Sequence, residues 1–290
     1  MDINIVTVLI CLVASFFAGI GTGFVGMSAA VAITPILMGF LGIPHFEATA
    51  IGLASDVLAS AGAAFMYNRH KNVDIKNGIV LLITVIIFTF GGTVAAYYIP
   101  SNTMGIGTVI GVTLMGLKLI IFPAKTNPKR KENLTPRKKF IYSVIFGAII
   151  GFVCGFVGAG GGMLLLLALT VFLGYEMHMA VGTSVFVMSF AAFTGAGFHI
   201  LYQGVINPKP GSNISTIPFT VMILCVVLTL AFSIIGSKLA NNMKEKTLSR
   251  VSGAMLVSIA VTVAIVVLIK GNPNADSASA LGSIFSLAVH

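Results

Sequence analysis

The run Gly155-Phe-Val-Gly158-Ala-Gly160-Gly161-Gly162-Met163 is the part of this sequence best suited to chemistry, because it precedes a strongly helical stretch, LLLLALTVFL. Adjacent glycines break a helix and leave backbone N–H groups directed at a small volume, with the positive end of the next helix behind them. That arrangement favours an anion. An earlier segment, Gly23-Phe-Val-Gly26-Met-Ser28, offers a second break with a serine hydroxyl as donor. Gly158, Gly160, Gly161, Gly162, Gly26 and Ser28 are therefore candidate substrate-binding residues. Thr183 and Ser184 follow a predicted helix start, MAVGTSVF, and add hydroxyl donors unless each bonds back to its own helix. Asp56 is the lone acid in the middle of an apolar stretch, where an ionisable group is costly enough to suggest function. It reads either as a proton or sodium coupling residue or as a protonated acid bonded to a neighbouring helix. Upstream, Gly147, Gly151 and Gly155 recur every four residues, as do Ser15, Gly19 and Gly23, which is the spacing of close helix packing.

The elements that must hold these residues are membrane helices. Of 290 residues 57% are hydrophobic and 9% charged, against about 25% charged in soluble domains. A water-facing particle of this size could not be clothed by so few charges, which excludes a soluble enzyme and a disordered chain. The net charge of +9 does not point to nucleic acid, because seven of the 17 basic residues fall between Lys125 and Lys139. Such a cluster between apolar segments marks the cytoplasmic side of a membrane protein. Cys11, Cys154 and Cys225 lie in apolar runs without metal-ligand spacing, so no disulfide framework or metal site is indicated. HExxH, GxSxG and GxxxxGK[ST] motifs are absent, so neither catalytic residues nor a cofactor is expected, and the chain is not read as an ATP-driven pump. The apolar stretch from Ile3 lacks a basic segment before it and reads as a membrane span, not a removed signal peptide.

About 20 apolar residues cross a hydrocarbon core of about 30 Å. Residues 46–66, 78–98, 102–122, 180–202, 217–237 and 251–269 are single predicted spans. The glycine-interrupted stretches 3–44 and 140–175 are each two spans, or a span with a re-entrant piece. That leaves eight to ten crossings. His45, Glu176 and His178 fall at segment ends, and Lys118 and His199 near the ends of their spans, where interfacial placement is expected. Residues 67–76, 123–139 and 238–250 are basic and share the cytoplasmic side, whereas 203–216 faces outward.

Shifting the chain by 132 residues aligns Gly19–Val73 with Gly151–Val205 without a gap, with 13 of 55 positions identical. Matched residues include Gly19/Gly151, Gly23/Gly155, Gly26/Gly158, Gly42/Gly174 and Ala48/Ala180. The aligned loops fall on opposite sides by the charge rule, so the copies are inverted. The expected fold is an all-α polytopic protein of two inverted repeats, each of four or five spans with glycine-broken or re-entrant helices at the midplane. The expected divisions are 3–122 (first repeat), 123–139 (basic cytoplasmic loop), 140–269 (second, inverted repeat) and 270–290 (a tail whose apolar end is too short to span). Inverted repeats around a midplane site are the architecture of secondary transporters.

The paired motifs GTGFVGMSAA and GFVGAGGGMLLLLAL, each followed by a short loop and an alanine-containing helix start (HFEATAIGLAS and MHMAVGTSVFVMS), resemble the TauE/SafE sulfite-exporter family. The resemblance runs from about residue 8 to 269 and is closer in the second half. In the first half, Met27-Ser28-Ala29-Ala30 stands where the family has more glycines, and Gly52-Leu53 where it has a Thr-Ser pair. The resemblance implies a multi-pass plasma-membrane protein that moves small anions such as sulfite or sulfoacetate outward. Its expected partners are that anion, protons or sodium, and membrane lipid, with room for a homodimer. Two other readings of the same residues are an anion channel lined by the glycine breaks and a thiol-relay protein using Cys154.

Overall fold

The structure is a computed structural model that describes residues 4–97, 135–157, 161–199, 201 and 218–269. Among these residues the fold is entirely helical. Helix α1 runs Ile5–Val25 and α2 Ala30–Ile36, which continues into a π-helical turn, Leu37–Leu41. Helices α3 (His45–Arg69) and α4 (Ile75–Tyr97) follow. After residues outside the description come α5 (Pro136–Val157), α6 (Gly161–Leu167) with a second π turn at Ala168–Phe172, and α7 (Met177–His199). The last helices are α8 (Phe219–Asn241) and α9 (Glu245–Ile269).

Apolar runs bounded by a few breakers explain these elements. Asn4 caps α1 by accepting from the Ile5 N–H at 2.9 Å. Gly26 ends it in a left-handed conformation, φ +67°, with its N–H donating to Thr22 O. Gly42 and Gly174, a matched pair in the 132-residue shift, both adopt positive φ after a π turn. Pro35 precedes the first π turn and Leu167 occupies the matching position before the second, so proline is not the common cause. Buried hydroxyls donate to their own helix four residues back, as in Thr22 to Ala18, Ser55 to Ile51 and Thr89 to Val85. That satisfies polar groups where lipid supplies no partner.

Helices Ile5–Val25, Glu47–Arg69, Ile75–Ala95, Met177–Phe198 and Phe219–Asn241 are long and apolar enough to cross a membrane. Ala30–Leu41, Lys139–Gly155 and Gly161–Phe172 are shorter apolar helices. Sequence boundaries shift by a few residues: α3 extends past the expected 46–66 to Arg69, and α8 past 217–237 to Asn241. Both continue because polar residues can remain helical where a chain leaves the apolar layer. The segment Ala30–Leu41 is 12 residues and so about 18 Å long, well short of the hydrocarbon thickness. The expected span at 102–122, the loop 123–134 and the tail 270–290 lie outside the described residues. Large side chains such as Ile5, Phe65, Ile87, Phe193 and Ile223 are exposed around the bundle, as expected of a surface that meets lipid.

The recurring glycines serve packing. A Cβ on Gly19 would lie 2.6 Å from Thr229 O, and one on Gly23 2.6 Å from Ser237 N, so α1 and α8 touch backbone to backbone and run parallel. Gly147, Gly151 and Gly155 press in the same way on Thr84, Val85 and Thr89, which makes α5 parallel to α4. At one end of the bundle Asn72, before α4, donates to Asn241 at the end of α8 (2.8 Å). Helix α1 therefore points toward that end and α5 away from it.

Candidate functional site

The first break lies between α1 and α2. With Gly26 left-handed, the backbone passes through Met27 and Ser28 before helix resumes at Ala30. The Ala29 N–H donates to Asp56 Oδ1 at 3.0 Å, and Ser60 Oγ donates to the same oxygen at 2.8 Å. Asp56 is fully buried at the middle of α3. Its other oxygen, Oδ2, and the buried Ser28 Oγ make no hydrogen bond of normal geometry, although the Ser28 hydroxyl adjoins the carboxyl group. Tyr67 ties the far end of α3 to the same region, its hydroxyl donating to Gly23 O at 2.9 Å.

The start of α6 meets this segment. A Cβ on Gly162 would collide with the Gly26 carbonyl oxygen and lie 3.0 Å from Met27 Cα. One on Gly26 would strike Ser184 Oγ. One on Gly161 would lie 3.1 Å from Cys154 Sγ and 3.4 Å from Met188 Sδ. The start of α6 thus seats directly on the backbone of the other break, with sulfur atoms on one side and the Asp56–Ser28 pair beyond Gly26.

Gly26, Ser28, Gly161, Gly162, Ser184 and Asp56 accordingly share one neighbourhood. Gly158 and Gly160 lie outside the described residues. Ser184 donates to Val181 O at 2.8 Å, in its own helix, and so spends its proton there. Thr183 turns elsewhere: its Oγ1 accepts the Asp74 N–H at 3.0 Å. Asp74 caps α4, accepting from the Asn77 N–H at 3.3 Å and from the Tyr175 hydroxyl at 2.6 Å. Burial, then the neighbouring Asp74 carboxylate, hold the Tyr175 phenol above its ordinary range. His178 Nε2 lies 3.1 Å from Ala240 O, and its Nδ1 3.9 Å from Glu245. This polar join closes the end of the bundle where Asn72 and Asn241 pair.

Sequence reasoning missed Ser60, Tyr67, Asp74, Tyr175 and Met188. Aspartate is a preferred residue immediately before a helix, so Asp74, just ahead of Ile75, had a readable signal. Ser60 had one as well, four residues after Asp56 and hence on the same helix face. Cys154 is buried beside Gly161, while Cys11 and Cys225 are buried in α1 and α8. Among the described residues, no group of three or more His, Cys, Asp or Glu side chains could hold a metal.

Apolar helices of spanning length, with the start of α6 seated on the chain between α1 and α2 and a buried acid beside Ala29, are consistent with a polytopic membrane protein of transporter type. The chain belongs to the sulfite exporter TauE/SafE family, whose pattern matches residues 11–263. It is 22% identical over 240 residues to the "Probable membrane transporter protein YdhB" of Bacillus subtilis (strain 168), covering 83% of this chain and 93% of that one. It is 26% identical over 220 residues to the "Probable membrane transporter protein YunE" of the same organism, covering 69% and 80%. No solved structure matches. The protein is thus a membrane transporter of TauE/SafE type, a membership that implies a non-enzyme.

Proposed function

We propose that the chain is a secondary transporter that exports small anions, sulfite or organosulfur anions such as sulfoacetate, across the plasma membrane. The observation that carries this reading is the seating of Gly162 on Gly26 beside the buried Ser28 Oγ and Asp56 Oδ2, which adjoin each other and make no hydrogen bond of normal geometry. Polar atoms left unpaired in an apolar interior cost free energy unless something else pairs with them, and a transported ligand is such a partner. Gly26, Ser28 and the glycines from Gly158 to Gly162 would line the path, with Ser184 against Gly26 and Asp56 as the coupling group for a proton or sodium. Thr183 would act at the end of the pathway, through Asp74.

The two halves, 3–122 and 140–269, are proposed as inverted repeats joined by the cytoplasmic loop 123–139. The helix, short helix, π turn and helix of Ile5–Arg69 recur at Pro136–His199, with α1 and α5 pointing opposite ways. This supports two states of similar energy, one open to each side. The basic residues Arg69, Lys71, Lys76, Lys238 and Lys244 lie at the end that holds Asn72 and Asn241, which supports a cytoplasmic placement for that end.

The test is efflux from liposomes containing the purified full chain, with sulfite and sulfoacetate followed against chloride and sulfate. Saturable efflux of sulfur oxyanions that is reduced by Gly161→Ala and abolished by a bulkier residue there is the expected result. Flux that never saturates would make the protein a channel, and absence of flux for every sulfur oxyanion would overturn the cargo assignment.

A further inference from the structure

We infer that Asp56 Oδ2, together with the Ser28 hydroxyl, is where one proton joins each anion, so that the closed site accepts an anion only while Asp56 is neutral. This rests on the proposed anion-transport reading and adds the coupling ion, its position and its electrical consequence.

The geometry of the carboxyl group carries the argument. Oδ1 receives the Ala29 N–H and the Ser60 hydroxyl, whereas Oδ2 has no hydrogen bond of normal geometry and only the Ser28 hydroxyl adjoining the carboxyl group. An ionised carboxylate wants donors on both oxygens, whereas a protonated one keeps one oxygen as acceptor and turns the other into a donor. The observed division suits the neutral form, with its O–H at Oδ2 beside Ser28. Charge compensation from elsewhere is missing among the described residues. On α3 the neighbouring polar group is Ser60, and from the α1–α2 break it is Ser28 with the Ala29 amide. From α7 the counterpart position holds Met188, and from α8 Ser233 is bonded to Ala59 O. From α5 the titratable group in electrostatic reach is Cys154, a buried thiol. No Lys, Arg or His side chain faces the carboxyl group from any of these elements.

An anion brought to such a carboxylate would be repelled, strongly so where water is excluded. A neutral Asp56 instead offers the anion a donor. In the empty carrier open to solvent, water around Ser28 and Oδ2 solvates the carboxylate. The entering anion displaces that water and draws a proton onto Oδ2 from the same aqueous phase. When the site opens to the other side, anion and proton leave together and Asp56 is again ionised. The matching position in the second repeat is a methionine, so each cycle carries one such proton. A monovalent anion would then cross without net charge, and a divalent one with a single net charge.

The experiment uses the full chain in liposomes with two probes: sulfite, and methanesulfonate, a strong-acid anion whose own charge is independent of pH. An internal pH dye reports protons, and potassium with valinomycin sets the potential. The expected wild-type result is methanesulfonate flux that moves one proton per anion, rises up to about tenfold per unit of acidification, and ignores potential. In Asp56→Asn, which keeps an acceptor for Ala29 and Ser60, the remaining flux should carry no proton, lose the acid stimulation and follow potential. Ser28→Ala should weaken the apparent anion affinity and leave the proton ratio at one. Wild-type flux that follows potential without proton movement, or that requires sodium, overturns the inference while leaving anion transport intact. Where neither probe moves, the cargo assignment fails, and the infrared band of a protonated carboxyl group decides the rest. A band that grows when sulfite is added at neutral pH and that Asp56→Asn removes supports the inference, and its absence overturns it.

Discussion

The starts of α2 and α6 match in the 132-residue shift and are furnished with opposite chemistry. In the first, Ala29 donates to Asp56, and in the second the matching residue, Gly161, sits against Cys154 and Met188. The 132-residue shift places Asp56 over Met188 and Thr22 over Cys154. Thus a few side chains make the neighbourhood of Ala29 polar and that of Gly161 soft and apolar. In the proposed cycle the polar segment holds the group that changes charge, and the glycine-rich segment supplies the surface that closes over it. If the two halves are the inverted repeats proposed, the frame keeps its symmetry of motion while dividing its chemistry.

The most damaging way to break this pairing is to add bulk where the two backbones touch. Gly162→Ala puts a methyl group into Gly26 O, a backbone atom that cannot rotate aside. Overpacking of this kind costs about 1–3 kcal/mol or more, and anion flux should fall to background. Gly161→Ala meets the flexible ends of Cys154 and Met188 at 3.1–3.4 Å and should lower flux while keeping a folded protein. Melting temperature and flux measured together check the ranking. Equal effects of the two substitutions would show that the contact between breaks is unimportant.

Exchanging side chains without changing volume sharpens the chemical contrast. Met188→Leu should cost less than about 1.5 kcal/mol and leave the pH response of transport unchanged. Asp56→Asn should also melt near the wild type, since Asn can accept from Ala29 and Ser60, yet it should abolish the acid stimulation. Transport rate against pH for both variants is the measurement. A pH response altered by Met188→Leu as much as by Asp56→Asn would remove the distinction between the breaks.

How much of this was legible in the sequence depends on range. The apolar helices and the 132-residue shift are local or periodic signals, and among the described residues the helices form within a few residues of where those signals put them. The packing role of Gly19, Gly23, Gly147, Gly151 and Gly155 was readable from their four-residue spacing, and the close contacts match it. Which helices these glycines face was not readable, because α1 packs on α8 more than 200 residues later. Thr183 shows the same limit. It stood beside Ser184 as a second candidate donor, but neighbours on a helix point about 100° apart, and its partner is the Asp74 amide 109 residues away.

The polar end of the bundle provides a region against which effects at the breaks can be judged. Tyr175→Phe removes the donor to Asp74 Oδ2, and a hydrogen bond to a charged group is worth about 1.5–3 kcal/mol. Tyr67→Phe removes a neutral bond to Gly23 O and should cost about 0.5–1.5 kcal/mol. Because the Tyr175 phenol is held above its ordinary value in the folded state, its stabilisation is complete below about pH 10 and is lost as pH rises beyond it. The alkaline fall in melting temperature should therefore be shallower in Tyr175→Phe than in the wild type. Parallel curves would show that the bond does not form.

The smallest effect is expected at the His178–Glu245 pair. Its atoms are 3.9 Å apart, and the side chains are 15% and 27% exposed, so water and salt screen the attraction. Glu245→Gln should lower stability by less than about 1 kcal/mol, with the difference shrinking as salt is added. His178 has a second contact in the Ala240 carbonyl, so replacing the histidine should cost more than replacing the glutamate. Melting curves at low and high salt separate the two contributions, since the carbonyl contact is far less sensitive to screening than the ion pair. If Glu245→Gln were as harmful as Tyr175→Phe, the end of the bundle would be held by charge and not by the buried hydrogen bonds around Asp74. High salt would then loosen that end while leaving the two breaks untouched.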